Sequence, residues 1–258
     1  MPSVLLDLPA PPESYARLTR KGMPIAHPTW TVLPHGPIEQ LDDHLWRVEG
    51  DLPNMALKRV MTLARMADGR LVVHSAIALD DGSMRQIERW GEPAFLVVPN
   101  GWHRLDAPSF KQRYPAMQVV CPRGSRKAVQ KALPVDLTYD AFPADDRVSL
   151  EHAPGTKDVE GVLRVRGDAG VSLVFNDLIF NLPHGRGLFG LVFRLMGSTG
   201  GPKVTRVARL TMVRDRRALR GYLEKLAAEP DLERVLMSHG RPIVKDAASV
   251  LRSIAATL

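Results

Sequence analysis

Residues 94–98, Ala-Phe-Leu-Val-Val, contain no polar member and stop abruptly at Pro99-Asn100-Gly101-Trp102-His103. Such a run suits a strand buried on both faces, the usual state of a central strand in a parallel sheet. Parallel strands need crossover connections, normally helices that cover the sheet. The flanking sequence supplies them. Upstream, Ser83 as N-cap and Gly91 as closing residue bracket a helix with Met84, Ile87 and Trp90 three apart on one face. Downstream, Asp106 is the N-cap of a short helix with Pro108 in its first turn and Phe110 facing inward, ending at Tyr114 before Pro115. A strand over 118–121 and a helix over 125–133 continue the alternation.

Strand-like runs over 45–48, 56–66 and 71–77 precede this unit, separated by turn residues such as Asp68-Gly69. After Pro134 the texture is all-β, with short strands over 148–152, 161–165 and 171–175. Helix then returns: Leu219, Tyr222, Leu223 and Leu226 follow an Asp215 cap with i, i+3, i+4, i+7 spacing. A strand over 234–237 and a helix carrying Val250, Leu251, Ile254 and Leu258 complete the sequence. The order predicts two sheets sandwiched between helices. A chain of 258 residues suits one α/β domain, here 41–258. Residues 1–40 hold eight of the 21 prolines and no apolar period, so an irregular N-terminal arm without assigned chemistry is expected there.

The single cysteine, Cys121, excludes an intramolecular disulfide and every cysteine-based zinc signature, so the expected compartment is the cytoplasm. No Gly-x-Ser-x-Gly elbow or P-loop ending is present. The longest apolar stretch, 187–197 (GLFGLVFRLMG), is interrupted by Arg194 and is too short to span a bilayer. Its expected state is burial, with a flap or a membrane-surface helix as alternatives. The net charge is +7, and Lys203, Arg206, Arg209, Arg214, Arg216, Arg217 and Arg220 face only Asp215. Without an accompanying nucleic-acid signature this block reads as a solvated helix face, and no nucleic-acid partner is expected.

In open α/β sheets ligands sit beyond the carboxyl ends of strands. Four termini qualify: Pro99-Asn100-Gly101-Trp102-His103, Ala153-Pro154-Gly155-Thr156, Phe175-Asn176-Asp177 and Ser238-His239-Gly240. Their order and spacing over 45–258 resemble the metallo-β-lactamase superfamily, in which strand ends carry Thr-His-x-His-x-Asp-His, Pro-Gly-His, Gly-Asp and His-Gly. Val98-Pro99-Asn100, His103, Tyr114-Pro115 and the segment Asn176-Asp177-Leu178-Ile179-Phe180-Asn181 more narrowly resemble an uncharacterised branch of it with a degenerate metal-binding motif. The resemblance implies a four-layer αββα sandwich and a hydrolase-like protein.

Carried over by position, the first motif reads Asn100, Trp102, Arg104 and Leu105, and the turn histidine reads Thr156. None is an ordinary zinc ligand. Asp177 and His239 match ligand positions and are the expected catalytic pair; His103 is the candidate third ligand, with Asp106 or Glu160 reaching in only by loop rearrangement. The expected cofactor is therefore none or one divalent metal, zinc, iron or manganese. Simpler roles stand beside these: Asp177 accepting backbone N–H groups, His239 bonding a loop carbonyl, His103 packing beside Trp102. The other histidines show no ligand spacing. Arg104 would repel a metal and attract a carboxylate or phosphate, or else pair with Asp177. With Asn100 and His103 it forms the expected ligand-binding set. Two functions follow: a diverged hydrolase with at most one metal, or a non-catalytic module for a small anionic ligand or acidic partner.

Overall fold

The computed structural model describes residues 26–258. The first 25 residues of the expected arm lie outside them. The chain runs β1 (Glu39–Asp42), β2 (Leu45–Leu52), β3 (Met55–Arg65), β4 (Arg70–His74), α1 (Asp81–Trp90), β5 (Glu92–Val97), α2 (Ala107–Arg113), β6 (Gln118–Cys121), α3 (Arg126–Val129) and β7 (Leu137–Thr138). It continues through β8 (Val148–His152), β9 (Gly161–Arg166), β10 (Val171–Phe175), β11 (Ile179–Leu182), α4 (Gly187–Leu195), β12 (Gly201–Val204), α5 (Arg206–Thr211), α6 (Arg216–Ala227), β13 (Leu232–Met237) and α7 (Ala247–Ala256).

Strands β1 to β7 form one sheet in sequence order, antiparallel through β4 and parallel from β4 to β7. A second sheet has the order β13-β10-β9-β8, with β10 and β13 parallel. The apolar run at 94–98 explains the layering. Phe95 and Val97 face a core shared with Val174 of β10 and Leu236 of β13, while Leu96 and Val98 face the core of α1 and α2 with Met84, Ile87 and Phe110. A third core joins Leu173, Phe175, Val235 and Met237 to Leu219, Leu223 and Leu226 of α6 and Leu251 and Ile254 of α7. Three apolar cores separate four layers, helices-sheet-sheet-helices, as the alternation of elements implied.

Several local expectations shift. Asp80, not Ser83, caps α1, accepting the Ser83 N–H at 3.0 Å. The helix expected over 125–133 shortens to α3, because the N–H groups of Ala132 and Leu133 both turn back to the Val129 carbonyl. The apolar stretch at 187–197 does not enter a core as expected: residues 191, 192 and 194–196 are exposed. It becomes α4, inserted between β11 and β12, a separate two-stranded ribbon outside both main sheets; Leu191, Val192, Leu195 and Met196 are exposed. No helix among the described residues is long and apolar enough to cross a membrane.

Asp106 sits at the N-cap position of α2 but makes no capping bond. Its fully buried carboxylate instead accepts from Arg59 Nη2 of β3 at 2.6 Å, His27 Nδ1 at 2.8 Å and the Ala78 N–H at 3.0 Å. The segment following residue 25 is thereby pinned to the sheet, and Trp30 adds a bond from Nε1 to the Leu79 carbonyl and a ring contact with Phe110. Burial pushes the Asp106 pKa up, but His27, Arg59 and the Ala78 N–H outweigh it and hold the pKa below 3.8. A depressed carboxylate pKa stabilises the fold above the unfolded value and loses that stabilisation as pH falls through the folded one. Asp106→Asn, which leaves Arg59 buried without its counter-charge, is expected to cost about 3–5 kcal/mol at pH 7. In urea unfolding the gap to the unaltered protein should shrink as pH falls below 3.8.

Candidate metal centre

The parallel strands β4, β5, β10 and β13 deliver Ser75, the 99–103 loop, Asp177 and His239 to one end of the sandwich. The Asp177 carboxylate is where they meet. Its Oδ1 lies 3.0 Å from His103 Nε2 and 3.2 Å from His239 Nε2, and its Oδ2 accepts from Asn100 Nδ2 at 2.7 Å. The Asn100 Oδ1 accepts the N–H groups of Trp102 at 2.8 Å and His103 at 3.2 Å, which fixes the amide orientation and ties the loop to Asp177.

Each imidazole is aimed by its other nitrogen. His239 Nδ1 donates to the Lys58 carbonyl of β3 at 2.7 Å, and His103 Nδ1 lies 2.8 Å from Ser75 Oγ. Ser75 adopts a left-handed backbone, φ 58°, directly after β4. A non-glycine residue held there carries strain of about 1–3 kcal/mol. Gly240, φ 105°, follows His239, and a Cβ there would strike the Asn181 carbonyl oxygen. Glycine permits the close crossing in which Asn181 N–H bonds the His239 carbonyl at 3.3 Å and Arg241 N–H bonds the Asn181 carbonyl at 3.0 Å.

Behind Asp177, the buried Glu160 carboxylate accepts three backbone N–H groups, from Asn176 at 3.2 Å, Asp177 at 3.0 Å and Leu178 at 2.7 Å. Burial, then the charge of Asp177, pushes the Glu160 pKa up to about 8 against these three donors. The Asp177 pKa is raised by burial but held well below the usual carboxylate range by His103 and His239. His74, buried beside this cluster, is pushed down to about 3 by burial and by the charge of His103, and stays neutral.

His103, Asp177 and His239 form a group able to hold a metal ion, their donor atoms all within 4.8 Å of one another. Donors around a tetrahedral ion with bonds of about 2.0–2.1 Å stand roughly 3.3–3.4 Å apart. The two contacts to Asp177 Oδ1 approach that spacing. With Nδ1 committed to the Lys58 carbonyl, Nε2 is the His239 nitrogen turned toward Asp177 Oδ1 and the one placed to serve as a ligand atom. The donor set therefore fits one metal ion.

All three residues line a cavity of about 230 Å³ with Leu52, Met55, Leu57, Arg59, Trp102, Arg104 and Leu105 along its walls. Arg104 does not pair with Asp177. Its guanidinium donates to the Ala128 carbonyl, since Asn100 and two histidines already occupy the carboxylate. Asp106 and Glu160 do not join the cluster, because their oxygens are spent on Arg59 and His27 and on the 176–178 turn. Thr156 is buried elsewhere, bonding the Ala153 carbonyl. Cys121 is buried, which pushes its thiol up to about 11. Sequence reasoning passed over Ser75, Arg59 and the Lys58 carbonyl. Only the pairing of strands brings these to the site, and a backbone carbonyl has no sequence signal.

No protein-family model matches the chain, and no curated protein matches it in sequence. Solved structures do match. A metallo-β-lactamase from Hirschia baltica is 12% identical, with a TM-score of 0.54 over 85% of this chain and 98% of that one. The DIM-1 metallo-β-lactamase, in a crystal exposed to ceftazidime, is 12% identical, with a TM-score of 0.59 over 88% and 99%. The chain has the metallo-β-lactamase fold. Gly240→Ala is expected to lower stability by about 1–3 kcal/mol in urea unfolding, since the added Cβ must part Asn181 from the His239 turn.

Proposed function

We propose that this protein is a diverged, hydrolase-like member of its fold that holds a single divalent metal on His103, Asp177 and His239. The observation that carries the reading is the convergence of the two Nε2 atoms on Asp177 Oδ1 with His239 Nδ1 already committed to a carbonyl. Two imidazoles and a carboxylate suit zinc, iron(II) or manganese, with further coordination positions left open. Such an ion supplies Lewis acidity toward an ester-like or phosphoester group.

The protein's own groups do the rest. Asn100 and the Glu160-bound turn hold Asp177 in place, while Ser75 and Lys58 orient the imidazoles. Outer partners of this kind set ligand orientation and basicity. Leu52, Met55, Leu57 and Trp102 offer apolar wall to the uncharged part of a substrate and exclude water around it. Arg104 offers positive charge to an anionic part, and no described carboxylate lies within ion-pair distance of its guanidinium.

That same Arg104 favours the second reading, a non-catalytic module for a small anion. Elemental analysis after expression in medium supplemented with zinc, iron and manganese separates the two. The first reading expects about one metal ion per chain, lost in Asp177→Asn and His239→Ala, and bound about 10–100-fold more weakly in Ser75→Ala. Absence of stoichiometric metal, together with stabilisation by phosphate or carboxylates that Arg104→Ala abolishes, selects the second.

A further inference from the structure

The apolar helix α4 and its neighbour α5 lie away from the cavity residues in sequence and take no part in the reading above. Leu191, Val192, Leu195 and Met196 of the α4 segment are 53%, 42%, 67% and 39% exposed, and Val207 and Leu210 of α5 are 37% and 79% exposed. The two groups belong to one surface: Arg206 of α5 donates to the Leu195 carbonyl at 3.3 Å, and its side chain packs beside Gly197. Clustered exposed apolar side chains on a soluble domain mark a contact surface, whereas scattered ones do not.

Cations surround this surface. Arg194 and Arg206 are exposed within it, and Arg209, Arg216 and Arg217 continue from α5 onto α6. Among the described residues, none of these five guanidiniums lies within ion-pair distance of a carboxylate; the nearby Arg220–Glu224 pair is the contrast. Burial and the proximity of Arg216 and Arg206 lower the pKa of Arg209, as expected where positive charge is crowded and unbalanced.

We infer that the α4–α5 face docks on an anionic lipid surface, with the exposed leucines entering the headgroup boundary and the arginines meeting lipid phosphates. Apolar side chains ringed by unpaired arginines are the complement of that interface. A second copy of the chain is a poorer occupant, because an isologous contact would set arginine against arginine. An acidic protein would satisfy the arginines but leave unexplained why Leu195 and Leu210 stand so far into solvent.

Vesicle flotation with the full-length protein tests this, comparing phosphatidylcholine vesicles with phosphatidylcholine and phosphatidylglycerol at about 7:3. The triple variant Leu191→Asn, Leu195→Asn, Leu210→Asn keeps the charge unchanged and alters only exposed positions, so circular dichroism and melting should match the unaltered protein. The expected result is flotation with the anionic vesicles, weakened by about tenfold or more in the triple variant and reduced by high salt. Three outcomes overturn the proposal. They are no flotation with anionic vesicles, flotation undiminished in the triple variant, which is adsorption by charge alone, and loss in the variant only of self-association seen by ultracentrifugation. Metal content plays no part in the measurement, so its outcome is separate from that of the proposed hydrolase site.

Discussion

The Asp177 carboxylate is the polar junction on which the site depends. It stands at the end of β10 in one sheet and receives Asn100 and His103 from the loop after β5 in the other, with His239 arriving from β13. An ionised group in such a place must be compensated, or it would take up a proton. The two histidines and the amide provide that compensation. Glu160 provides the mechanical part: by gathering three consecutive N–H groups it fixes the turn that presents Asp177.

The fold was legible where a strand end such as 94–98 has no polar member. Residues 94–98 announced a strand covered on both sides, and the fold divides the same residues between two different cores. Helix positions followed from apolar spacing more than from capping: Asp215 accepts the Ala218 N–H as expected, but Asp80 replaces Ser83 and Asp106 makes no capping bond. The errors came where local pattern and tertiary setting disagree. The stretch 187–197 is as apolar as a core strand, but a two-stranded ribbon carries it off the sandwich, and no local pattern records which ribbon a helix rides on.

The candidate site was legible in part for a related reason. Asp177, His239 and His103 could be located as strand-end residues, and they do converge. The simpler role open to His239 turns out to be complementary to ligation, since its carbonyl contact exists and points the second nitrogen inward, whereas the backbone N–H groups expected at Asp177 go to Glu160 instead. Arg104 and Asp106 misled because charge in a sequence has no address. Arg104 reaches a backbone carbonyl, and Asp106 was drawn to Arg59, a cation on β3 that sequence spacing does not connect to it.

The bond from His239 to the Lys58 carbonyl crosses from the second sheet to the first. The imidazole tautomer is thus written by the spacing between two sheets, not by anything local to β13. If the layers slid against each other, the proton would lose its fixed address before any ligand atom had moved far. Packing of the inner core, Phe95 and Val97 against Val174 and Leu236, is in this sense the ruler that sets which nitrogen is free.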